Sequence, residues 1–456
     1  MKRQTRRDML ANDKIGKLLI KLSLPAIISM LVQAVYNTVD TIFVGRWVGT
    51  LGIGAIAVAL PIVMLIMALT QIIGIGGASI ISRRMGAGSQ EGLAVTLGNM
   101  VLLAVLLGLV IQLVGLFALT PLLRVFGATE ALLPLAREYF QIILLAGPLM
   151  TFSMAVNNAV RAEGNAKMAM LTMMAGAVLN IILDPIFIYV LKMGIRGAAV
   201  ATVISMSLSS CVLLIYFVSG RSEIPFGLRY MRFRIDIIKE MLAVGSSAFA
   251  RVGAMSFMVA LLNHTLSHYG GDMAIATFGV IFRLLSFIFM PIMGLTMGMQ
   301  PIVGFNYGCR QFPRVRQSIK LTLMASIIVA TTGFLAVLFF PGAIMRVFTK
   351  DPGLVASGSN ALHLCMFFLP LAGCQVVGAS FFQALGKAVP ALLLSLSRQV
   401  LALIPLIIFL PRFYGLNGVW LSFPVADLIT FIITMAFVLV ELKKMPKTVP
   451  VHFKSA

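Results

Sequence analysis

Twelve stretches of this chain are apolar over lengths that match a lipid bilayer. They cover residues 18–44, 53–82, 93–118, 132–160, 168–191, 197–219, 237–266, 274–305, 317–340, 354–383, 389–410 and 416–441. A helix needs about 20 apolar residues to cross about 30 Å of hydrocarbon. With no water there to bond the backbone, only helices and closed barrels can span. Runs this long are helices, so the chain is expected to be an all-α polytopic membrane protein with twelve transmembrane helices. Composition agrees: 60% of the 456 residues are hydrophobic and 11% charged.

The net charge of +21 would suit a nucleic-acid partner, but topology accounts for it. With the N-terminus inside, about 24 Lys and Arg fall in inner loops and about 8 in outer ones, which fixes the orientation. The expectation is a multi-pass protein of the bacterial inner (cytoplasmic) membrane with both termini cytoplasmic. Its partners would include membrane lipids and no nucleic acid. Residues 1–17 carry six basic side chains ahead of a run long enough to span. They read as a cytoplasmic anchor rather than a cleaved export signal. Cys211, Cys309, Cys365 and Cys374 lie mostly in apolar runs, without metal or disulfide spacing, and read as small core residues.

The chain repeats itself. Gly76 and Gly298 are 222 residues apart, as are Gly86 and Gly308, Arg124-Val-Phe126 and Arg346-Val-Phe348, Pro148 and Pro370, and Gly164 and Gly386. The offset then becomes 221, where Met193-Gly-Ile-Arg-Gly197 matches Tyr414-Gly-Leu-Asn-Gly418. Each half has six spans, an even number, so both insert the same way up, related by a parallel pseudo-two-fold along the membrane normal. The expected division is a cytoplasmic segment 1–17, an N-lobe 18–219, a linker 220–236, a C-lobe 237–442 and a tail 443–456. Pro225 and Gly227 break the pattern in the linker, and Arg221, Arg229, Arg232, Arg234 and Lys239 make it and its flank basic. That charge run reads as a solvated segment facing lipid headgroups.

Polar residues inside the spans are the candidate site. Asn180 and Asp184 are four apart in the fifth run, hence one turn apart on one face. A charge at mid-membrane costs about 2.5–3.5 kcal/mol on insertion scales, so Asp184 needs a partner, a proton or a cation. Pro185 removes a backbone donor and frees a carbonyl beside it. In the first run, Gln33, Tyr36, Asn37 and Asp40 form one polar stripe, which must face a cavity or another helix. Pro25, earlier in that run, is expected to kink or weaken it. Asp40 and Asp184 are both placed in the outer half of the bilayer, so they can meet. Two carboxylates close together in low dielectric raise each other's proton affinity; with amide and hydroxyl oxygens they also form a hard-oxygen nest for Na⁺. A structural polar pair joining two helices is the plainer alternative. The repeat weighs against it: Asp40 aligns with Leu262, Asp184 near Leu406 and Asn180 near Ala402, so the acids belong to one lobe only.

Other residues carry less. His264 and His268 have a spacing that suits a metal but lack a third ligand, and interhelical hydrogen bonding is the simpler reading. Asp427 reads as the ion-pair partner of Arg283 or Arg398 in preference to a second ionisable site. Gly74-Ile-Gly76-Gly77 has no strand before it and reads as close helix packing. No phosphate-binding loop and no catalytic Ser/His/Asp arrangement stands out, so neither ATP-driven transport nor an enzyme is expected.

Four segments together resemble a known family over nearly the whole chain: Leu24-Pro25 through Asp40-Thr41-Ile-Phe-Val-Gly45, Arg161-Ala-Glu-Gly-Asn-Ala-Lys167, Asn180-Ile-Ile-Leu-Asp184-Pro185 and Gly194-Ile-Arg-Gly197-Ala-Ala. This set is similar to the multidrug and toxic compound extrusion (MATE) transporters. Acids confined to the first half resemble the DinF branch, and the short termini its MepA-like group. The resemblance implies two six-helix lobes of the MATE/MOP-type fold. It implies export of small-molecule organic drugs in exchange for H⁺ or Na⁺, with no cofactor and no metal site, by a monomer. It carries a cation site onto Asp40, Asn180, Asp184 and Thr202, drug contacts onto Gln33, Tyr36, Asn157 and Met173, and a hinge onto Pro25. The acid of the NorM branch's seventh span has no counterpart; Asn263 and His264 stand nearby. A lipid-linked precursor flippase of the same superfamily is the alternative, with Arg251, Arg283 and Arg398 as the candidates for a cationic cavity lining.

Overall fold

The computed structural model describes residues 5–446. The tail expected at 443–456 therefore lies mostly outside the described residues, as do residues 1–4 of the N-terminal segment. All regular structure among the described residues is helical. Chain packing divides into two units. One comprises the chain up to Leu10 together with Ile28–Gly245; the other comprises Ala11–Ile27 and the chain from Ser246 onward.

In the first unit, the short helix α1 (Arg6–Asn12), as far as Leu10, buries Met9 and Leu10. Helix α2 (Ile15–Trp47) follows, and its residues from Ile28 on belong to this unit. Pro25 lies inside α2, with helical backbone on both sides. Then come α3 (Thr50–Ala87), α4 (Gln90–Phe117), the short α5 (Leu119–Val125), α6 (Leu133–Leu145), α7 (Gly147–Ala162), α8 (Ala166–Pro185) and α9 (Ile195–Val218). Ser89 caps α4 by accepting from the Gly92 amide, and Asn165 caps α8 by accepting from Met168, which satisfies donors that a helix start leaves orphaned. The expected single span 132–160 is broken: α6 and α7 meet at 58°. Pro148 stands at the start of α7, where a proline's missing donor costs nothing. The core of this unit gathers Val44, Ala59, Ile66, Phe140, Ile143 and Ala198, among others.

The second unit contains most of α10 (Ile235–Gly308), which holds two spans, not one. Its 74 residues would reach about 111 Å at 1.5 Å each, far beyond a bilayer. Gly271, at φ 61°, breaks the helix in a conformation open chiefly to glycine. Then follow α11 (Phe312–Phe339), α12 (Pro341–Phe348), α13 (Pro352–Met366), α14 (Leu369–Leu385), α15 (Ala388–Leu396), α16 (Ile404–Phe409) and α17 (Pro411–Lys444). Helices α13 and α14 form the matching bent span, at 53°. Counting each bent pair once, α10 twice and α15–α16 as one gives twelve membrane-length helices among the described residues, by length and composition. The core of this unit includes Leu262, Phe278, Leu362, Leu403, Trp420 and Phe423.

Candidate cation and substrate site

Three helices of the first unit bring the expected cation residues together. Asp40 lies seven residues before the end of α2, Asn180 and Asp184 share one face of α8, and Thr202 lies in α9. The α8 helix ends at Pro185 in a π-helical turn, Ile186–Val190, of the kind that recurs at functional sites. Gly197 lets α9 cross it closely: a Cβ there would stand 2.7 Å from the Phe187 carbonyl carbon. That approach seats Thr202 beside Asn180.

The carboxyls of Asp40 and Asp184 lie close enough to interact directly. Asp184 is fully buried and Asp40 nearly so, and Asp40 Oδ1 has no hydrogen-bond partner. The Asn180 amide fits in two orientations. In one, Nδ2 donates to Thr202 Oγ1 at 3.4 Å. In the other, Nδ2 donates to Asp184 Oδ2 at 3.1 Å and the amide oxygen accepts from the Thr202 amide at 3.2 Å. The choice is one of proton inventory. Thr202 Oγ1 also bonds back to the Ala198 carbonyl at 3.0 Å. Two phenols complete the cluster. Tyr36 of α2 and Tyr139 of α6, the latter buried, lie within electrostatic range of both acids. Tyr139 is absent from the sequence reading; a single phenol in an apolar run carries no periodic signal.

The expected drug contacts do not all converge here. Tyr36 belongs to the acid cluster, and Gln33 lies one turn earlier, bonding Asn37 at 3.3 Å. Asn157 and Met173 belong to a separate group. Asn157 Nδ2 donates to the Ala169 carbonyl at 3.1 Å, tying α7 to α8, while its Oδ1 is buried without a partner. Met173 Sδ stands 3.9 Å from Arg161, whose guanidinium also donates to Asn158 Oδ1 at 2.8 Å. Met173 is eleven residues before Asp184, roughly 16 Å along the helix.

In the second unit, Asp427 accepts from Arg398 Nε at 2.6 Å, both side chains largely buried, and the guanidinium lies over the Phe289 ring. Arg398 is therefore already neutralised, which leaves Arg251 and Arg283 of the three arginines proposed for a cationic lining. His264 and His268 are exposed, and among the described residues no three His, Cys, Asp or Glu side chains converge.

The MatE family model matches residues 25–186 and 248–408. The multidrug export protein MepA of Staphylococcus aureus (strain MRSA252) is 28% identical over 424 residues, 93% of each chain. A MATE multidrug transporter, DinF-BH, solved in complex with R6G, is 40% identical, with a TM-score of 0.87 over 97% of this chain and 98% of that one. An outward-facing multidrug resistance MATE transporter of the MOP superfamily matches with a TM-score of 0.91 at 28% identity, over 98% of this chain and all of that one.

Proposed function

We propose that this chain, which belongs to the MatE family of membrane transporters, is a cation-coupled antiporter that exports organic, often cationic, drugs by alternating access. Its relatives MepA and DinF-BH are named as a multidrug exporter and a multidrug transporter. Coupling to a cation rests on one observation. Five carboxylates are buried among the described residues: Asp40, Glu163, Asp184, Asp427 and Glu441. Glu163 pairs with Arg6, Asp427 with Arg398 and Glu441 with Lys387. Asp40 and Asp184 face each other instead. Buried charge without a partner costs several kcal/mol, so this pair takes its positive charge from outside the chain, as H⁺ or Na⁺.

The surroundings suit either ion. Asp40, Asp184, Asn180 and Thr202 offer carboxylate, amide and hydroxyl oxygens of the hard kind that Na⁺ takes. A proton is accommodated as well: an ionised Asp184 accepts from the Asn180 amide nitrogen, and a protonated one donates to its oxygen after a turn of the amide. Neutralising the pair changes which bonds Asn180 and Thr202 make, and so biases α2 against α8 and α9. Transport follows if the cation and the drug favour different states, since equal affinity for both shifts nothing.

The test is dye efflux from proteoliposomes under an imposed ΔpH and, separately, an imposed ΔNa⁺. The expected result is efflux driven by one gradient and abolished in both Asp40→Asn and Asp184→Asn, which insert and fold as the parent does. Gradient-driven efflux at the parent rate in both variants would sink the assignment.

A further inference from the structure

The segment joining the two repeats is held against a transmembrane helix, not left loose in solution. Asn99 of α4, fully buried, donates through Nδ2 to the Arg232 carbonyl at 2.9 Å, and its Oδ1 accepts from the Arg234 amide at 3.0 Å. One side chain thus clamps a carbonyl and an amide along one edge of the linker backbone. Gly98 beside it has no room for a side chain: a Cβ there would stand 2.9 Å from the Tyr230 carbonyl carbon.

The height of this clamp follows from helix geometry. Helix α4 has 28 residues, about 42 Å at 1.5 Å each. Its last residue, Phe117, is an exposed apolar ring that closes the lipid-length apolar run of this helix. Counting back about 20 residues for the hydrocarbon reaches Gly98 and Asn99. The linker is therefore fixed level with the lipid headgroups.

What it presents there is specific. Leu228, Phe233 and Ile235 are 84%, 60% and 67% exposed, and between them Arg229, Arg232 and Arg234 are exposed too. Arg234 is bridged to Asp236. Arg229 lies over the Tyr230 ring, 4.6 Å from its centre, and neither it nor Arg232 has an ion pair among the described residues. Exposed apolar side chains are unfavourable in water but fit the boundary between headgroups and acyl chains, and guanidinium matches a phosphate.

We propose that residues 228–235, clamped to α4 by Asn99, form a binding site for an anionic phospholipid, with Arg229 and Arg232 on the headgroup phosphate and Leu228 and Phe233 in the acyl boundary. The site is independent of the drug and cation reading, because none of its residues belongs to the acid cluster.

The full-length protein in nanodiscs of phosphatidylcholine with increasing phosphatidylglycerol provides the test, with retained lipid counted by native mass spectrometry. The parent retains phosphatidylglycerol in preference to phosphatidylcholine. Arg229→Gln/Arg232→Gln weakens that retention on the order of tenfold, from the loss of two interfacial charges. Lys443→Gln/Lys444→Gln removes the same charge from another exposed site and leaves retention at the parent level, and inorganic phosphate does not displace the lipid. Equal loss in both double variants would mean diffuse surface charge, and displacement by phosphate would mean a soluble-anion site. Either outcome, or unchanged retention in the arginine variant, overturns the proposal.

Discussion

Helices α3 and α10 cross within the first unit through two glycines, and adding a methyl to either gives a sharp test of the packing. Gly76 faces the Met241 carbonyl, and Gly245 faces the Ile72 carbonyl. Each glycine thus meets the carbonyl one turn before the other, which makes the contact reciprocal and antiparallel. A Cβ at Gly76 would stand 2.8 Å from the Met241 carbonyl carbon, and one at Gly245 would stand 2.6 Å from that of Ile72, where ordinary contact begins at 3.4 Å. The obstacle is backbone in both cases, with the carbonyl oxygen nearer still than its carbon, so no side-chain rotation relieves it and the helices must part by more than 1 Å. A gap of 0.5–1 Å forfeits about a quarter to a half of each dispersion well along the crossing. Overpacking of this kind costs about 1–3 kcal/mol. The double variant gives the sharper reading: once one methyl has separated the helices, the second enters space already opened. Gly76→Ala/Gly245→Ala is therefore expected to lose clearly less than the sum of the two single losses, a coupling set by shared contact. The assay is thermal unfolding of the purified protein in detergent, the three variants beside the parent. Single variants that melt with the parent, or a double variant that loses the full sum, would refute the geometry.

Two further outcomes are expected. The buried Arg398–Asp427 pair predicts that Asp427→Leu alone costs about 3–5 kcal/mol by stranding a charge, whereas Asp427→Leu/Arg398→Met recovers most of it; a double variant as unstable as the single in the same melts would count against the pair. Around Glu163, burial pushes the carboxyl above its ordinary value, against the opposing pull of Arg6, Ser222, Tyr216 and the Glu223 amide. A raised native value means that the folded protein holds this proton more tightly than the unfolded chain. The resulting stability is complete below the ordinary value near 4.5 and is lost as pH rises through the shifted one. Glu163→Gln, which keeps the shape and cannot ionise, should flatten that part of the melting-temperature profile; parallel profiles for variant and parent would discount the effect.

Much of the fold was legible because run length is a local property. A span's hydrophobicity follows from its depth in lipid, whatever its neighbours are. The breaks were less legible. Pro148 and Pro370 mark the repeat, yet a proline at a helix start and one that merely kinks a helix look alike in sequence; only packing makes α6–α7 and α13–α14 bend by more than 50°. The short helices α5 and α12 fall between the expected spans and end at the repeated Arg-Val-Phe triplet, and they are too short to show as spans in a hydropathy pattern. At the site, Asn180 and Asp184 were legible as one face because a single helix fixes their spacing. Asp40 joining them depends on how α2 packs against α8. The separation of Asn157 and Met173 from the acids depends on helix rise, which places residues of one helix at different depths.

The two halves answer the same physical problem in opposite ways, and the repeat makes the contrast readable. Where the first unit has Asp40 and Asp184, the second has leucines at or near the matching positions, Leu262 and Leu406. Where the second unit has Arg398 and Asp427, the first has residues near Gly176 and Met206, neither of which can hold a charge. Both units therefore bury acid in a low dielectric, but the second supplies the compensating cation as an arginine bonded into its own chain, 2.6 Å away. A tethered cation cannot be released, so it can brace a lobe but cannot carry a gradient's energy. Among the described residues the acid pair of the first unit has no such partner, and on the proposed function its cation would come from the solvent and return to it. On this argument, placing an arginine in the first unit's cluster, as in Asn180→Arg, should give a protein that still inserts but whose dye efflux no longer responds to either gradient. Retained gradient-driven efflux in that variant would show that the exchangeable charge lies elsewhere.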